Sequence, residues 1–545
     1  MALIVSLVRS SRWLLPIALL TSLISGFGNA ALVALINQAL GASTAKLAEL
    51  GVRFVALGLL VLATRVLSQT LFMYLGQRTK ATLRMRTIRR IAAASYAHLE
   101  QCGAARPLGI LTQDLDTVVV FFISLPSIAM QGAVIAGCLI YLGMLSWPIL
   151  LFAVVTIGIG ALGFHLVNAR ALVHLRGSRH REDDLVRQFR ALFDGAKELK
   201  LHRARREAFV DVELAPHVEA VRVQRTRGYV LYAAAASWGS LVLFAFVGLT
   251  IFVLARFFDA SAHVMSGYAL VFLYLIMPVE GLLSALPTLS SARVAFERIE
   301  QLDDVLPPDD EARADTRSSF TSVVLDGVTH RYFREKENGF FRVGPVNYTF
   351  RPGEIVYLTG GNGSGKTTLA KLLVGLYAPE EGRILLDGKP VDASSLETYR
   401  QLFSVVFSDF HLFDSLLGLP AGSEHAAQAL LVELQLDHKV SIVDGAFSTL
   451  DLSQGQRKRL ALLVACLEDR PFYVFDEWAA DQDPVFKDVF YRRLLPGLKA
   501  NGKTVLVITH DDRYFDLADR SIKLDSGQTV GDNSPATSVS TVSAS

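Results

Sequence analysis

A glycine-rich loop between an apolar strand and a helix is the part of the sequence with the clearest chemistry. The apolar run 354–359 leads into the segment GGNGSGKTT, and a helix is predicted from Leu369. Glycines let backbone N–H groups turn toward phosphates, and the helix N-terminus adds a favourable dipole. Lys366 can reach the β and γ phosphates, while the Thr367 hydroxyl can bind Mg²⁺. The pattern predicts ATP or GTP binding by Gly360, Asn362, Gly363, Ser364, Gly365, Lys366, Thr367 and Thr368.

Two carboxylates follow a second apolar strand, residues 471–475, further along the chain. Asp476 stands where a strand-end carboxylate holds Mg²⁺ in phosphate-transferring enzymes. Glu477 can accept a proton from the attacking water or orient it, so it is the candidate catalytic base. An Asp-Glu pair is weak evidence by itself, but together with the glycine loop it indicates nucleotide hydrolysis.

A serine-led segment, LSQGQ at 452–456, lies between these motifs and precedes a predicted helix over 457–467. With it the chain resembles the ATP-binding cassette (ABC) transporter superfamily, whose signature reads LSGGQ. The resemblance implies ATP as the nucleotide and contact of Ser453, Gly455 and Gln456 with ATP held by a second copy's loop. Ser453 at a helix start can donate to a phosphate. One chain carries one loop and one signature, so a homodimer is expected.

Other positions acquire roles through the same resemblance. Tyr332 stands where the family stacks an aromatic ring on adenine, although the adjacent Phe333 could serve instead. An isolated histidine is usually a surface residue, but His510 follows the strand 504–509 and matches the family's γ-phosphate-contacting histidine. Asp483 matches the family's D-loop aspartate.

Two departures from the family pattern indicate a subgroup. Ser408 replaces the usual glutamine as a candidate catalytic residue, with a hydroxyl but a shorter reach, and the residues 447–451 lack the usual acidic and glycine residues. Together with the segments 408–413, 451–459 and 476–484, these departures resemble the cyclic-peptide exporter group, which includes pyoverdine- and syringomycin-type exporters. That resemblance implies export of a cyclic peptide, lipopeptide or siderophore precursor across a bacterial inner membrane.

The N-terminal half explains why charged residues make up only 19% of the chain. A helix needs about 20 apolar residues to cross a bilayer. Six segments approach that length, and the fold class predicted is therefore a polytopic α-helical membrane domain fused to an α/β P-loop ATPase domain of the ABC type. The short connection 145–147 also allows one kinked hairpin in place of two spans. The six segments are 13–38, 54–76, 119–143, 148–168, 229–255 and 264–287.

Basic residues are concentrated in two connections, with seven Lys and Arg in 77–118 and thirteen in 171–228. The positive-inside rule places both connections, the termini and the ATPase domain in the cytoplasm. Their periodicity favours helices, which suit levers that reach an ATPase domain; solvated charged loops are the simpler alternative.

Two ionisable residues lie inside predicted spans, Arg65 in the second and Glu280 in the sixth. Intramembrane charges are costly and usually face a partner or a cavity. We hypothesise that both face a central cavity and contact a polar substrate or each other. The alternative is that Glu280 reaches the inner interface and Arg65 pairs with backbone carbonyls.

The domain organisation predicted is a membrane domain over 1–290, a linker over 291–320, an ATP-binding domain over 321–530 and a disordered tail over 531–545. The three cysteines are widely spaced and support no disulfide or metal site. The net charge of +2 gives no indication of nucleic-acid binding. No peptidase domain is expected before the first span, so leader cleavage is not expected.

The partners expected are a second copy of the chain, membrane lipid and a peptide-like substrate. Three alternatives keep the ATPase and change what it drives. The chain could be a multidrug or lipid exporter, a membrane-anchored regulator or assembly factor, or one subunit of a heterodimer.

Overall fold

The computed structural model describes residues 13–254, 257, 261–306, 319–334, 339–419 and 422–532. Residues 307–318 of the predicted linker and the predicted tail beyond residue 532 lie outside the described residues. The chain divides into two compact units. One comprises residues 1–88 and 105–302, and the other comprises residues 89–104 and 303–545.

The first unit is helical. Its helices, and the short helix α3 that belongs to the second unit, are α1 Leu14–Leu40, α2 Thr44–Ala92, α3 Tyr96–Cys102, α4 Ala105–Gly109, α5 Leu115–Leu145, α6 Trp147–Asp194, α7 Ala196–Leu201, α8 Arg203–Ala208, α9 Ala215–Leu249 and α10 Ala262–Val305. Wider π-helical turns connect or extend them at Ile110–Asp114, Phe209–Leu214 and Thr250–Leu254.

Six candidate membrane spans are present among the described residues, each long and apolar enough to cross a bilayer. The third and fourth are separate helices, because Ser146 has an extended backbone that ends α5 before Trp147 begins α6. The prediction of six spans is therefore confirmed, and the single-hairpin alternative is wrong.

The two basic connections are helical, as predicted, since α2 continues to Ala92 and α6 continues to Asp194. Each of these helices is almost 50 residues long, at 49 and 48 residues. At about 1.5 Å per residue, each is roughly twice as long as the bilayer core is thick.

Arg65 and Glu280 line different cavities. Arg65 borders a small pocket with Ser22, Ser68 and Gln69, whereas Glu280 borders a cavity of about 640 Å³ between α5, α6, α9 and α10. The two residues therefore line different pockets within one chain, and the hypothesis that both face a central cavity of the dimer stays a prediction. Depth along a helix can be read from sequence, but rotation about the helix axis cannot, and rotation decides which cavity a side chain faces.

The second unit has the α/β fold predicted for an ATPase domain. Its strands are β1 Val323–Arg334, β2 Gly339–Phe350, β3 Ile355–Gly360, β4 Glu381–Leu386, β5 Lys389–Pro390, β6 Phe403–Val406, β7 Ile442–Val443, β8 Ala446–Phe447, β9 Phe472–Asp476, β10 Thr504–Ile508, β11 Arg520–Asp525 and β12 Gln528–Asp532. Its remaining helices are α11 Lys366–Leu373, α12 Leu396–Arg400, α13 Ser423–Glu433, α14 Gln454–Glu468, α15 Pro484–Val489 and α16 Leu495–Ala500.

A six-stranded sheet, in the order β12-β11-β3-β10-β9-β6, forms the centre of this unit. Strands β9 and β10 are buried at every position, which fits their nearly continuous apolar sequence. Strands β3, β10, β9 and β6 run parallel. Their carboxyl ends therefore meet at one edge of the sheet, where the glycine loop, Asp476, Glu477 and His510 all follow a strand.

Candidate nucleotide-binding site

The glycine loop connects β3 to α11 and needs glycine at two positions. Gly363 and Gly365 have φ angles of +77° and +100°, a region that residues with a Cβ seldom adopt. A Cβ at Gly365 would also lie 2.7 Å from Val343 Cγ2. The loop can keep this turn only with glycine there, whereas Asn362 lies exposed on the turn and Thr368 is half-buried in the first turn of α11.

Lys366 lies at the start of α11 with only 6% of its surface exposed. Its Nζ donates to the carbonyl oxygens of Gly360 and Gly361, each at 3.0 Å, so the ammonium group sits over the loop. Burial lowers the pKa of Lys366, and the nearby charges of Glu477 and Asp476 oppose that shift. A buried ammonium group beside a loop of backbone N–H groups is well suited to bind a polyphosphate.

Asp476 forms an oxygen-rich group with two hydroxyls. Thr367 Oγ1 and Ser408 Oγ donate to Asp476 Oδ2 at 2.9 and 3.3 Å. The carboxylate is 1% exposed, and burial raises its pKa while these two hydrogen bonds lower it. Its other oxygen, Oδ1, is buried without a hydrogen-bond partner. A buried acceptor without a donor is costly, and a cation would satisfy it.

The donor set around Asp476 fits Mg²⁺, which prefers oxygen ligands and is often bound by one or two carboxylates together with substrate phosphates. Within the described part of the chain, no three His, Cys, Asp or Glu side chains form a metal-binding group. Asp476, Thr367 and Ser408 would therefore complete an Mg²⁺ site only together with phosphate oxygens.

Glu477 and His510 face each other at the end of β9 and β10. His510 Nε2 lies 3.3 Å from Glu477 Oε1, and both residues line a cavity of about 300 Å³. Glu477 has a φ of +49°, which is uncommon for a residue with a side chain. Its backbone is held on both sides, since its N–H donates to the Ile508 carbonyl and its carbonyl accepts from Lys458 Nζ. The Glu477 carboxylate is close enough to Lys366 for its charge to raise the pKa of that lysine.

Tyr332 lies near the end of β1, opposite Phe341 on β2. The two ring centroids are 5.5 Å apart, and Phe341 in turn approaches the position of a Cβ on Gly365 at 3.4 Å. The aromatic pair is therefore next to the glycine loop, where an adenine ring could stack. The neighbouring Phe333 side chain lies outside the described residues.

Ser453 begins the signature helix α14 through a capping box. Its Oγ accepts from Gln456 N at 3.4 Å, and its N–H donates to Gln456 Oε1 at 3.1 Å. These reciprocal bonds satisfy N–H groups that a helix start leaves unpaired. Because α14 starts at Gln454, the serine hydroxyl lies at the positive end of the helix dipole.

The signature helix is joined to the D-loop by contacts that the sequence did not predict. Gln454, the departure from the family signature, donates to Asp481 at 3.1 Å, and Lys458 pairs with the same carboxylate at 2.7 Å. Arg459 contacts Gln482 at 2.8 Å and Asp483 at 2.5 Å. Asp483 also caps α15 by accepting from Phe486 N, and this bond is the main cause of its lowered pKa.

The predicted residues thus form two groups within one chain. The first contains the glycine loop with Lys366 and Thr367, together with Ser408, Asp476, Glu477, His510 and the nearby Tyr332. The second contains Ser453, Gly455 and Gln456 with Asp483. Lys458 connects the two, because it binds both the Glu477 carbonyl and Asp481.

Residues 89–104, which include the end of the long helix α2, belong to the same compact unit as this site. Lys371 of α11, 9% exposed, donates to Tyr96 and Glu100 of α3 at 3.1 and 3.2 Å. Tyr377 donates to the other oxygen of Glu100. Burial alone would lower the pKa of Lys371, but these hydrogen bonds and charges raise it, so the residue stays an ammonium. The helix that begins with Lys366 thereby holds α3.

Glu100→Ala is expected to raise amide hydrogen exchange in α3, residues 96–102, about tenfold, because it removes the carboxylate that Lys371 and Tyr377 share. Hydrogen bonds to charged groups contribute about 1.5–3 kcal/mol. Hydrogen-exchange mass spectrometry measures the change. Glu49→Ala, which removes a surface ion pair with Arg53, is the matched control and should leave α3 unaffected. Unchanged exchange in Glu100→Ala would show that other contacts hold α3.

The fold and the site together define an ABC transporter. Residues 343–480 match the family described as ABC transporter. The whole chain is 40% identical over 547 residues to the ATP-binding protein SyrD of Pseudomonas syringae pv. syringae, an alignment that covers 96% of this chain and 95% of SyrD. The chain therefore belongs to the ABC transporter family, and it is an exporter-type ATPase that couples ATP hydrolysis to transport.

Two further comparisons agree with this assignment. The chain is 27% identical over 488 residues to the ATP-dependent lipid A-core flippase of Ralstonia nicotianae, covering 82% of this chain and 78% of that protein. It also superposes on the structure of a bacterial Atm1-family ABC exporter with ATP bound. That match has a TM-score of 0.77 and 16% identity, and it covers 96% of this chain and 95% of the other. The predicted fold class and the superfamily resemblance are confirmed.

Proposed function

We propose that this chain, as a homodimer in a bacterial inner membrane, exports a cyclic peptide, lipopeptide or siderophore precursor. The observation that carries the proposal is the 40% identity to SyrD along almost the whole chain. The segments around Ser408, Ser453 and Asp476 resemble the cyclic-peptide exporter group. The identity to SyrD covers 96% of the chain, so the resemblance extends into the membrane half. The relatives named as lipid A-core flippases match at lower identity.

The division of the site into two groups supports the homodimer. Lys366 belongs to one group, whereas the Ser453 hydroxyl is held by Gln456 in the other. A second chain related by two-fold symmetry can present its Ser453 to the ATP bound by the first, and the reverse contact forms a second site. Each complete site then combines Lys366, Thr367 and Glu477 of one protomer with Ser453, Gly455 and Gln456 of its partner.

The chemistry follows from the arrangement of the chain's own groups. Lys366 and the loop N–H groups neutralise the triphosphate, and Tyr332 stacks on the adenine. Asp476, Thr367 and Ser408 would hold Mg²⁺, which when bound neutralises charge on the β and γ phosphates. Glu477 accepts the proton of the attacking water, and His510, 3.3 Å away, contacts the γ-phosphate and orients the carboxylate.

ATP binding and hydrolysis then drive alternating access. Closure of two cassettes around shared ATP favours one conformation of the dimer, and hydrolysis releases it. Lys371 of the phosphate-binding helix holds Glu100 of α3. A movement of that helix therefore also moves α3, which follows α2 in the chain. The cassettes lie in the cytoplasm, as the basic connections require.

Transport can be tested in inside-out membrane vesicles with a fluorescent cyclic lipopeptide. We expect ATP-dependent uptake in vesicles that contain the wild-type protein and background uptake in vesicles with Lys366→Ala, which removes the phosphate-binding ammonium group. A fluorescent lipid A precursor is the comparison substrate. Uptake of the lipid alone would contradict peptide export and favour a lipid exporter. ATPase activity without uptake of either would favour a regulatory role.

A further inference from the structure

A cavity of about 640 Å³ within the membrane unit has an apolar wall and one acidic side chain. It lies between α5, α6, α9 and α10, and Glu280 is the only Asp, Glu, Lys, Arg or His among its described lining residues. Its volume is in the range of cavities that hold drug-sized ligands. The chemistry of the cavity therefore depends on what can neutralise Glu280.

Glu280 lacks a cationic partner within the described part of the chain, where no Lys, Arg or His forms an ion pair with it. Ser240 of α9 donates to Glu280 Oε1 at 3.0 Å, which leaves Oε2 for another donor. A carboxylate within a membrane span is costly unless it is paired, and such residues usually mark a path for substrates or ions. The side chain is exposed to the cavity rather than packed against protein.

Gln131 of α5 lines the same cavity and lies against Gly281, the residue that follows Glu280. Its Oε1 is buried without a hydrogen-bond partner. The same amide lies against the backbone of Gly281, where a Cβ would be 2.2 Å from Gln131 Nε2. The absence of a side chain at Gly281 therefore allows the amide to approach the residue that follows Glu280.

Two hydroxyls on the wall, those of Thr156 and Ser284, are already used within their own helices. Thr156 donates to the Phe152 carbonyl at 2.8 Å, and Ser284 donates to the Gly281 carbonyl at 2.9 Å. The wall thus carries one anionic acceptor, the Glu280 carboxylate, and no cationic side chain among its described lining residues. This carboxylate matches a donor that carries positive charge and more than one N–H.

An aromatic pair completes the cavity. Phe164 of α6 and Tyr232 of α9 both line it, with ring centroids 6.4 Å apart and the rings nearly perpendicular. The face of an aromatic ring attracts a cation and also packs against apolar groups. The rest of the wall is largely aliphatic, so it favours the apolar part of the same ligand.

We infer that this cavity binds a peptide with a protonated amine and an apolar body, with Glu280 and Gln131 holding the ammonium group. The inference rests on the proposed export function and adds the charge of the substrate to it. Glu280 and Gln131 are then specificity-determining residues. The amine enters between α5 and α10, while Phe164 and Tyr232 contact the apolar body.

The test compares two forms of one probe, a fluorescent apolar cyclic hexapeptide with a single lysine and the same peptide acetylated on that lysine. Binding to the purified full-length protein is measured by fluorescence anisotropy. We expect wild-type protein to bind the lysine form at least about tenfold more tightly, and Glu280→Gln to bind both forms alike. Glu280→Asp should keep the preference, and Gln131→Leu should reduce it.

Glu297→Gln is the matched control, because Glu297 is on the same helix α10 but pairs with Arg293 at the surface. It should keep the full preference for the lysine form. Equal binding of the two forms by wild-type protein, or a preference that survives in Glu280→Gln, would overturn the inference and leave peptide export standing. Failure of both forms to bind would overturn it too and would also count against peptide export. Thermal unfolding of each variant verifies that it is folded.

Discussion

Replacing Glu477 by Gln is expected to lower ATP turnover at least about 100-fold, while ATP still binds. General base catalysis by a positioned side chain contributes about 10²–10⁴-fold, and the amide of Gln cannot accept the proton. Gln has nearly the same shape, so the hydrogen bonds of the Glu477 backbone to Ile508 and Lys458 remain. Lys366, Thr367 and Asp476, the residues proposed to bind the triphosphate and its cation, are unchanged.

Phosphate release at saturating ATP measures turnover, and equilibrium binding of a fluorescent ATP analogue measures affinity. Glu433→Gln is the matched control, because it removes a carboxylate of the same unit that pairs with Arg493 rather than lining the site. It should keep wild-type turnover. If Glu477→Gln kept more than half of the turnover, another group would be the base, and Asp483 and His510 would be the next residues to examine.

The edge of the sheet that carries the candidate site could be predicted because its residues end or follow apolar strands. The glycine loop, Asp476 and His510 end the strands β3, β9 and β10, and parallel strands bring those ends together. Ser408 belongs to the same set. Its shorter reach made contact with the cation site doubtful from sequence, but β6 pairs with β9 and leaves its Oγ 3.3 Å from Asp476 Oδ2.

The contacts of the basic side chains could not be predicted from sequence. Lys458 and Arg459 follow the signature and look like the solvated face of a helix. Their partners, Asp481 and Asp483, lie in a different segment, and only the packing of α14 against it brings them together. Lys371 and Glu100 are a stronger case, since 271 residues separate them and nothing in either local sequence indicates the pair.

In the membrane half, too, the sequence pattern predicts the helices but not how their side chains pack. Hydropathy predicted six spans, because length and composition alone decide whether a helix can cross a bilayer. Arg65 and Glu280 lie at similar predicted depths, but within the chain Glu280 accepts from Ser240 and Arg65 lines a different pocket. Ser240, which donates to Glu280, and Gln131, which lies against Gly281, are on helices whose rotation is set by side-chain packing.

Replacing Ser453 by Asp is expected to lower ATP turnover about 10- to 100-fold, whereas Ser453→Asn should lower the turnover much less. Both residues cap a helix as well as Ser does, so α14 should keep its start in each variant. They differ in charge: Asp places a carboxylate against the triphosphate, while the Asn amide can still donate to it. A charged hydrogen bond contributes about 1.5–3 kcal/mol, which sets the size of the loss.

Hybrid dimers then test whether Ser453 acts on the partner's ATP. A Lys366→Ala protomer and a Ser453→Asp protomer carrying different tags can be co-expressed and purified in tandem. Each parent homodimer has two defective sites, but the hybrid has one site in which both the loop and the signature are intact. We expect the hybrid to show roughly half of the wild-type ATP turnover, because one of the two equivalent sites of a two-fold dimer is intact. If the hybrid were no more active than its parents, each chain would have to complete its own site, and the proposed exchange of signatures between protomers would fail.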